Sequence, residues 1–203
     1  MEWLLGRLKP EVLFLEHPAS ALNSFRDLSC GTLESAAAMS YLRSHDAELV
    51  PVDIDVDEYE CPASELKELF DEMFMRCAEV SGRFAALEAI HSFETERGGF
   101  AYLNSPVGWQ YVSELAQELR TVVALSSEPR LAELYGLWER TNDRREWSML
   151  AGVNAFARRA SFNSAVLLVG AAHRPSLMEK VRQGGGEDDA RVVWDFKWEL
   201  DAT

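Results

Sequence analysis

Four consecutive apolar residues, Val12-Leu13-Phe14-Leu15, stand between Glu11 and the turn-forming Glu16-His17-Pro18. A strand with one solvated face alternates in polarity. A run that is apolar throughout is buried on both faces, as in the central strand of a parallel sheet. Ala165-Val166-Leu167-Leu168-Val169 has the same character and runs into Gly170-Ala171-Ala172-His173. Leu49-Val50-Pro51-Val52-Asp53-Ile54 reads as a further strand. Pro51 has no N–H to give a ladder, which puts it at the strand start or near a sheet edge. Strands of this kind need helices on both faces, so the chain belongs to the α/β class.

The rest of the pattern is mostly helical. Met1–Lys9 reads as a helix closed by Pro10, and Ala19–His45 as two pieces split at Cys30-Gly31, the second capped by Thr32 or Ser29. From Ser64 onward, Leu66, Leu69, Phe70, Met73, Cys77, Val80, Phe84, Leu87 and Ile90 recur at spacings of three and four. That predicts one long amphipathic helix, or two meeting near Gly82, ended by Gly98-Gly99. Val107, Tyr111, Leu115 and Leu119 mark another helix. Leu131, Leu134 and Trp138 mark one more, and Trp147, Leu150, Val153 and Phe156 a further one. Thr121–Leu125 reads equally as strand or helix end. Pro175–Gln183 is helical, and Gly184-Gly185-Gly186 opens a surface loop. The last segment alternates strictly, with Val192, Trp194, Phe196, Trp198 and Leu200 against Arg191, Asp195, Lys197 and Glu199. This predicts a half-buried antiparallel strand. The expected architecture is a single α/β domain over 1–203. It has a central, mostly parallel sheet with crossover helices, a helical insertion or cap over 64–162, and a C-terminal antiparallel strand.

Charge narrows the partners. Acidic residues number 34 against 20 basic ones, a formal net charge of −14. Such a surface repels phosphate backbones, so nucleic acid is not an expected partner. The densest basic group, Arg140, Arg144, Arg145, Arg158 and Arg159, is interleaved with Glu139, Asp143 and Glu146, the pattern of a solvated helix face. Cys30, Cys61 and Cys77 match no zinc spacing. Their odd number, and an N-terminus without the form of a secretory leader, predict a reducing compartment and a cytoplasmic protein. No apolar run approaches the roughly 20 residues that span a bilayer, so no membrane association is expected.

Ligands of open α/β sheets bind beyond the carboxyl ends of the strands. Glu16 and His17 follow the first strand, Asp53 and Asp55 the second, and His173 the third. Carboxylates and imidazoles in such positions hold a divalent metal or act as acid and base. Each also has a structural reading. Asp53 and Asp55 suit the cap of a following helix, His17 suits a solvated loop, and His173 suits a cap of the Pro175 helix. His45 and His91 read as ordinary surface or helix-face residues. The chain contains no GxSxG nucleophile elbow, no GxxxxGK[ST] and no GxGxxG.

Leu168-Val169-Gly170-Ala171-Ala172-His173 resembles the C-terminal GxxH motif of the TraB/PrgY–Tiki superfamily, which also holds erythromycin-esterase-like and haem-binding ChaN-like proteins. Lys9-Pro10-Glu11-Val12-Leu13-Phe14-Leu15-Glu16 is similar to its KPDxxxxE strand. Arg145-Glu146-Trp147-Ser148-Met149 resembles its RNxxM helix, and Val52-Asp53-Ile54-Asp55 its following, acid-ended strand. The four pieces come in the family's order and cover most of the chain. The resemblance implies a mixed sheet with a helical insertion. In Tiki-type members it implies a metal-dependent hydrolase that uses two GxxH histidines. On that pattern His173 is a metal ligand or base, Glu16 a metal ligand or general base, and Arg145 a stabiliser of an anionic intermediate, with a divalent metal such as Mn or Zn as cofactor. One departure shapes the expectation. The family's first GxxH lies upstream of the glutamate, and none of the fifteen residues before Glu16 is histidine. The reading is therefore a degenerate, non-catalytic member that binds a small molecule or a partner protein. The alternatives are a metal-dependent, peptidase- or esterase-like hydrolase using Glu16 and His173, and an unrelated α/β enzyme working by acid–base chemistry. The sheet edge left by a missing first strand points to a possible homodimer.

Overall fold

The computed structural model describes residues 1–55, 63–185 and 192–196. It is a mixed α/β structure. Three parallel strands, β1 (Val12–Leu15), β2 (Glu48–Pro51) and β3 (Ala165–Leu168), form a sheet in the order β2-β1-β3. All four residues of β1 are buried, as a central strand requires. Pro51 closes β2, which is an edge strand of this sheet, where its missing N–H is tolerated.

The chain divides into two compact units, Met1–Glu58 with Arg144–Trp194, and Tyr59–Asp143 with Asp195–Thr203. The first unit contains the sheet with α1 (Glu2–Leu8), α2 (Leu22–Arg26), α3 (Leu33–Leu42), the C-terminal half of α7 (Pro129–Arg159) and α8 (Arg174–Lys180). Side-chain alternation along β1 builds its two core layers. Leu13 and Leu15 pack with Leu5, Phe25, Ala38 and Tyr41, under α1–α3. Val12 and Phe14 point the other way, onto Met149, Val153 and Phe156 of α7. Phe14 meets Phe156 and Phe162 edge-on, at ring-centroid distances of 5.5 and 6.0 Å. Gly152 lets α7 lie close to Val52, since a Cβ there would stand 3.0 Å from the valine.

The second unit is helical. It consists of α4 (Ala63–Val80), α5 (Gly82–Leu103), α6 (Pro106–Leu125) and the N-terminal half of α7, around Met73, Cys77, Phe84, Leu119, Val122, Leu131 and Leu134. Ser81 and Ser105 cap α5 and α6, each accepting a backbone N–H three residues on. Thr32 caps α3 in the same way.

Several elements differ from the sequence expectation. Leu131–Trp138 and Trp147–Phe156 are parts of one 31-residue helix. The stretch between them, Glu139 to Glu146, is charged or polar but holds no Gly or Pro, so nothing breaks the helix there. Gly98-Gly99 breaks the helix as expected, since Gly99 has a non-helical backbone with φ 49°, but a second helical piece follows it to Leu103. Thr121–Leu125 belongs to α6. Val192–Phe196 is not a strand, although Val192 and Trp194 pack against the Phe14 layer. The alternation there satisfies apolar contact without a ladder. Arg191, Lys197, Trp198, Glu199 and Leu200 lie outside the described residues, and all strand pairs among the described residues are parallel.

Because Phe14 fills the layer between sheet and α7, Phe14→Ala is expected to destabilise the protein by about 3–5 kcal/mol. Urea denaturation of the two proteins measures the difference.

Candidate functional site

The strand ends of the first unit are held together beyond the strands themselves. The Glu16 N–H donates to the Leu168 carbonyl at 3.0 Å, so pairing with β3 extends through Glu16. Val52 N–H donates to Leu15 O at 3.1 Å, and Asp53 N–H to His17 O at 3.3 Å. Both carboxylates therefore stand on fixed backbone at the C-terminal rim of the sheet. Beyond β3, Gly170 leads into a single 3-10 turn, Ala171–His173, whose last residue immediately precedes α8. Arg145 and Glu146 are consecutive residues of α7 within this same unit.

These residues converge. Arg145 spans two carboxylates: Nε lies 3.0 Å from Asp53 Oδ2 and 3.2 Å from Oδ1, and Nη2 lies 2.7 Å from Asp53 Oδ2 and 2.5 Å from Glu16 Oε1. His173 sits between two further carboxylates. Its Nε2 is 3.2 Å from Glu16 Oε1 and its Nδ1 2.8 Å from Glu146 Oε1. The other oxygen of Glu146 accepts from Ser176 Oγ at 2.5 Å and from Lys180 Nζ at 2.7 Å. The second oxygen of Glu16 accepts the Gly170 N–H at 2.6 Å. A Cβ at position 170 would stand 3.3 Å from that oxygen, so glycine allows the close approach.

In order of contact the ionisable groups are Lys180, Glu146, His173, Glu16, Arg145 and Asp53, alternately cationic and anionic. Three carboxylates face three cations, and this six-residue series is formally neutral. Burial alone would push the Glu16 carboxyl up. The hydrogen bond and charge of His173, then Arg145 and the Gly170 N–H, override it and hold the group down at about 2. Burial alone would likewise push His173 down. Its bonds to Glu146 and Glu16 and the Glu16 charge prevail over burial and over Arg145, and raise it to about 9. Glu146, also opposed by burial, is lowered by His173, Lys180 and Ser176. At neutral pH the cluster thus holds an imidazolium between carboxylates.

Among the described residues, no group of three or more His, Cys, Asp or Glu side chains is placed to hold a metal ion. The arrangement explains this. The Arg145 guanidinium puts a fixed positive charge between Glu16 and Asp53, and the carboxylates beside His173 favour its protonated form, in which neither nitrogen keeps the lone pair a metal needs. As arranged, these residues do not fit a divalent cation.

Glu16, Arg145 and His173 meet in one place, and Asp53 joins them through Arg145 instead of capping a helix. His17 turns away. It stacks edge-on against Phe25 at 5.4 Å, and its buried Nε2 has no hydrogen-bond partner among the described residues. Asp55 accepts from the backbone N–H and hydroxyl of Ser20. His45 stacks on Tyr41, and His91 pairs with the Tyr102 hydroxyl, both outside the cluster. Sequence reasoning placed Glu146 on a solvated face and passed over Ser176 and Lys180. The one available signal was the i, i+4 spacing of Ser176 and Lys180, which puts both on the same face of α8. No family model, curated protein or solved structure matches the chain. No helix among the described residues is long and apolar enough to cross a membrane.

The pH dependence of stability follows from the two shifts. Glu16 is depressed from 4.5, so its contribution is present above that value and is lost as pH falls toward 2. His173 is raised from 6.5, so its contribution is complete below that value and is lost as pH rises through 9. Urea denaturation across pH is expected to show greatest stability between these limits, with an alkaline loss of about 3 kcal/mol that His173→Gln abolishes. The Glu16–His173 attraction is shared and enters this loss once.

Proposed function

We propose that the strand-end cluster is a metal-free recognition site for a small polar ligand, and that the chain is a non-catalytic relative of the TraB/PrgY–Tiki proteins it resembles. The observation that carries this reading is the Arg145 guanidinium bridging Glu16 and Asp53. The arginine already supplies the positive charge that a hydrolytic metal would bring. Arg145 and Glu16 are also the cluster's most open members, with side chains about one-fifth exposed, at 20% and 19%. A ligand meets them first. Arg145 donates in a rigid planar fork and Glu16 accepts, a pairing suited to a molecule that carries both a carbonyl or carboxylate oxygen and a hydroxyl. On the same reading the protein is cytoplasmic and binds neither nucleic acid nor membrane, in keeping with its acidic charge.

The rival reading, a metal-dependent peptidase- or esterase-like hydrolase, assigns Glu16 and His173 as ligands of Mn or Zn. It requires Arg145 to withdraw and His173 to release a proton. Equilibrium dialysis against either metal at neutral pH separates the two. The proposal predicts far less than one equivalent bound. It also predicts that a panel of hydroxy acids and short esters contains a compound that raises Tm for the natural protein but not for Arg145→Lys. Stoichiometric metal that is lost on His173→Ala overturns the proposal in favour of the hydrolase.

A further inference from the structure

We infer that Glu146 is a positioning residue: it locks the His173 ring so that Nε2 stays on Glu16 Oε1, which fixes the Glu16 carboxylate beside the Arg145 fork and leaves the guanidinium as the donor that an acceptor oxygen of a ligand meets. The ligand preference rests on the recognition site proposed above; the locking does not.

An imidazole can turn over about its Cβ–Cγ bond and exchange its two nitrogens. At His173 one side of the ring faces Glu16, which is partly open, and the other faces Glu146, whose side chain is 5% exposed. Glu146 itself has no freedom. One oxygen accepts from His173 Nδ1, and the other is held by Ser176 and by Lys180. Lys180 Nζ is in turn 2.9 Å from Ser176 Oγ and lies over the Trp147 ring at 5.7 Å. Three groups, from the Ala171–His173 turn and α8, thus clamp one carboxylate. It is too enclosed to meet a ligand and well placed to fix the ring beside it. A carboxylate that accepts Nδ1–H leaves Nε2 pointing at Glu16 Oε1 and beyond it to the Arg145 fork, whose Nη1 is 3.5 Å away. Nε2–H is then committed to Glu16, and the guanidinium is the donor that meets a carboxylate or ester carbonyl of a ligand.

The test reads the ring directly, by nitrogen-15 and proton NMR of the full chain labelled at histidine. The natural protein is expected to show a slowly exchanging His173 Nδ1–H. Glu146→Ala is expected to exchange it faster by about tenfold or more, as the loss of a charged hydrogen bond implies. Glu146→Gln, whose amide oxygen still accepts, is expected to restore slow exchange. Where Glu146→Ala fails to fold, Lys180→Met loosens the same carboxylate and is expected to accelerate exchange measurably in a folded protein. Equal exchange in the natural protein and in whichever of these two variants folds overturns the inference. Acetate, a minimal carboxylate probe, is expected to shift the His173 Nε2 resonance in the natural protein and to do so more weakly in the unlocked variants. A locked ring that acetate does not perturb leaves the locking intact and contradicts the recognition reading instead.

Discussion

Six buried or half-buried charges in alternating order hold together the end of this fold where the strands stop. Lys180, Glu146, His173, Glu16, Arg145 and Asp53 form an unbroken series, with every neighbouring pair within 3.2 Å. Burial costs each of them desolvation, and their neighbours in the series, together with the Gly170 N–H and the Ser176 hydroxyl, offset that loss. The series is therefore stable as a whole and unstable in pieces. Removing one member leaves an uncompensated buried charge, a loss of about 3–5 kcal/mol for a single side chain. It also ties the rim of β1 and the ends of the chain beyond β2 and β3 to two helices, so the rim of the sheet and the cluster form one structure.

This constraint governs what the site can do. A carboxylate group at strand ends invites a metal, and the resemblance to a hydrolase family points the same way. Arg145 answers the same electrostatic demand from within the chain. Its guanidinium is planar and permanently charged, and it serves two carboxylates at once, which suits it to a structural cation more than the flexible ammonium of lysine. What remains for a ligand is the open side of Arg145 and Glu16, with His173 behind them. Gly170 is part of this economy of space, since its bare backbone lets the Glu16 carboxylate settle against an N–H.

Much of the first unit was legible in the sequence. Val12–Leu15 announced a doubly buried central strand, and its neighbours Glu48–Pro51 and Ala165–Leu168 were visible as apolar runs. Because polar residues following parallel strands share one rim, the meeting of Glu16, Asp53 and His173 could be read from order alone. Arg145 was singled out only by the resemblance of Arg145–Met149 to a family motif. Glu146 did not, because charged residues on a helix usually face water and nothing in the local pattern distinguishes the one that turns inward. Lys180 and Ser176 were hidden for the same reason. The charged stretch between Trp138 and Trp147 looked like a gap between helices, yet helix continuity depends on backbone-compatible residues and not on apolar periodicity. The alternation after Arg191 expressed packing of Val192 and Trp194 against the core, which a strand pattern does not distinguish from pairing.

A double-mutant cycle on Arg145 and Glu16 tests the account most directly. Unfolding free energies of the natural protein, Arg145→Met, Glu16→Gln and the double variant give the coupling between the two groups. The charge series predicts that each single variant is strongly destabilised and that the double variant loses less than their sum, by roughly 1–3 kcal/mol. Additive losses within about 0.5 kcal/mol would mean that Arg145 and Glu16 act independently, and the central interaction would not exist.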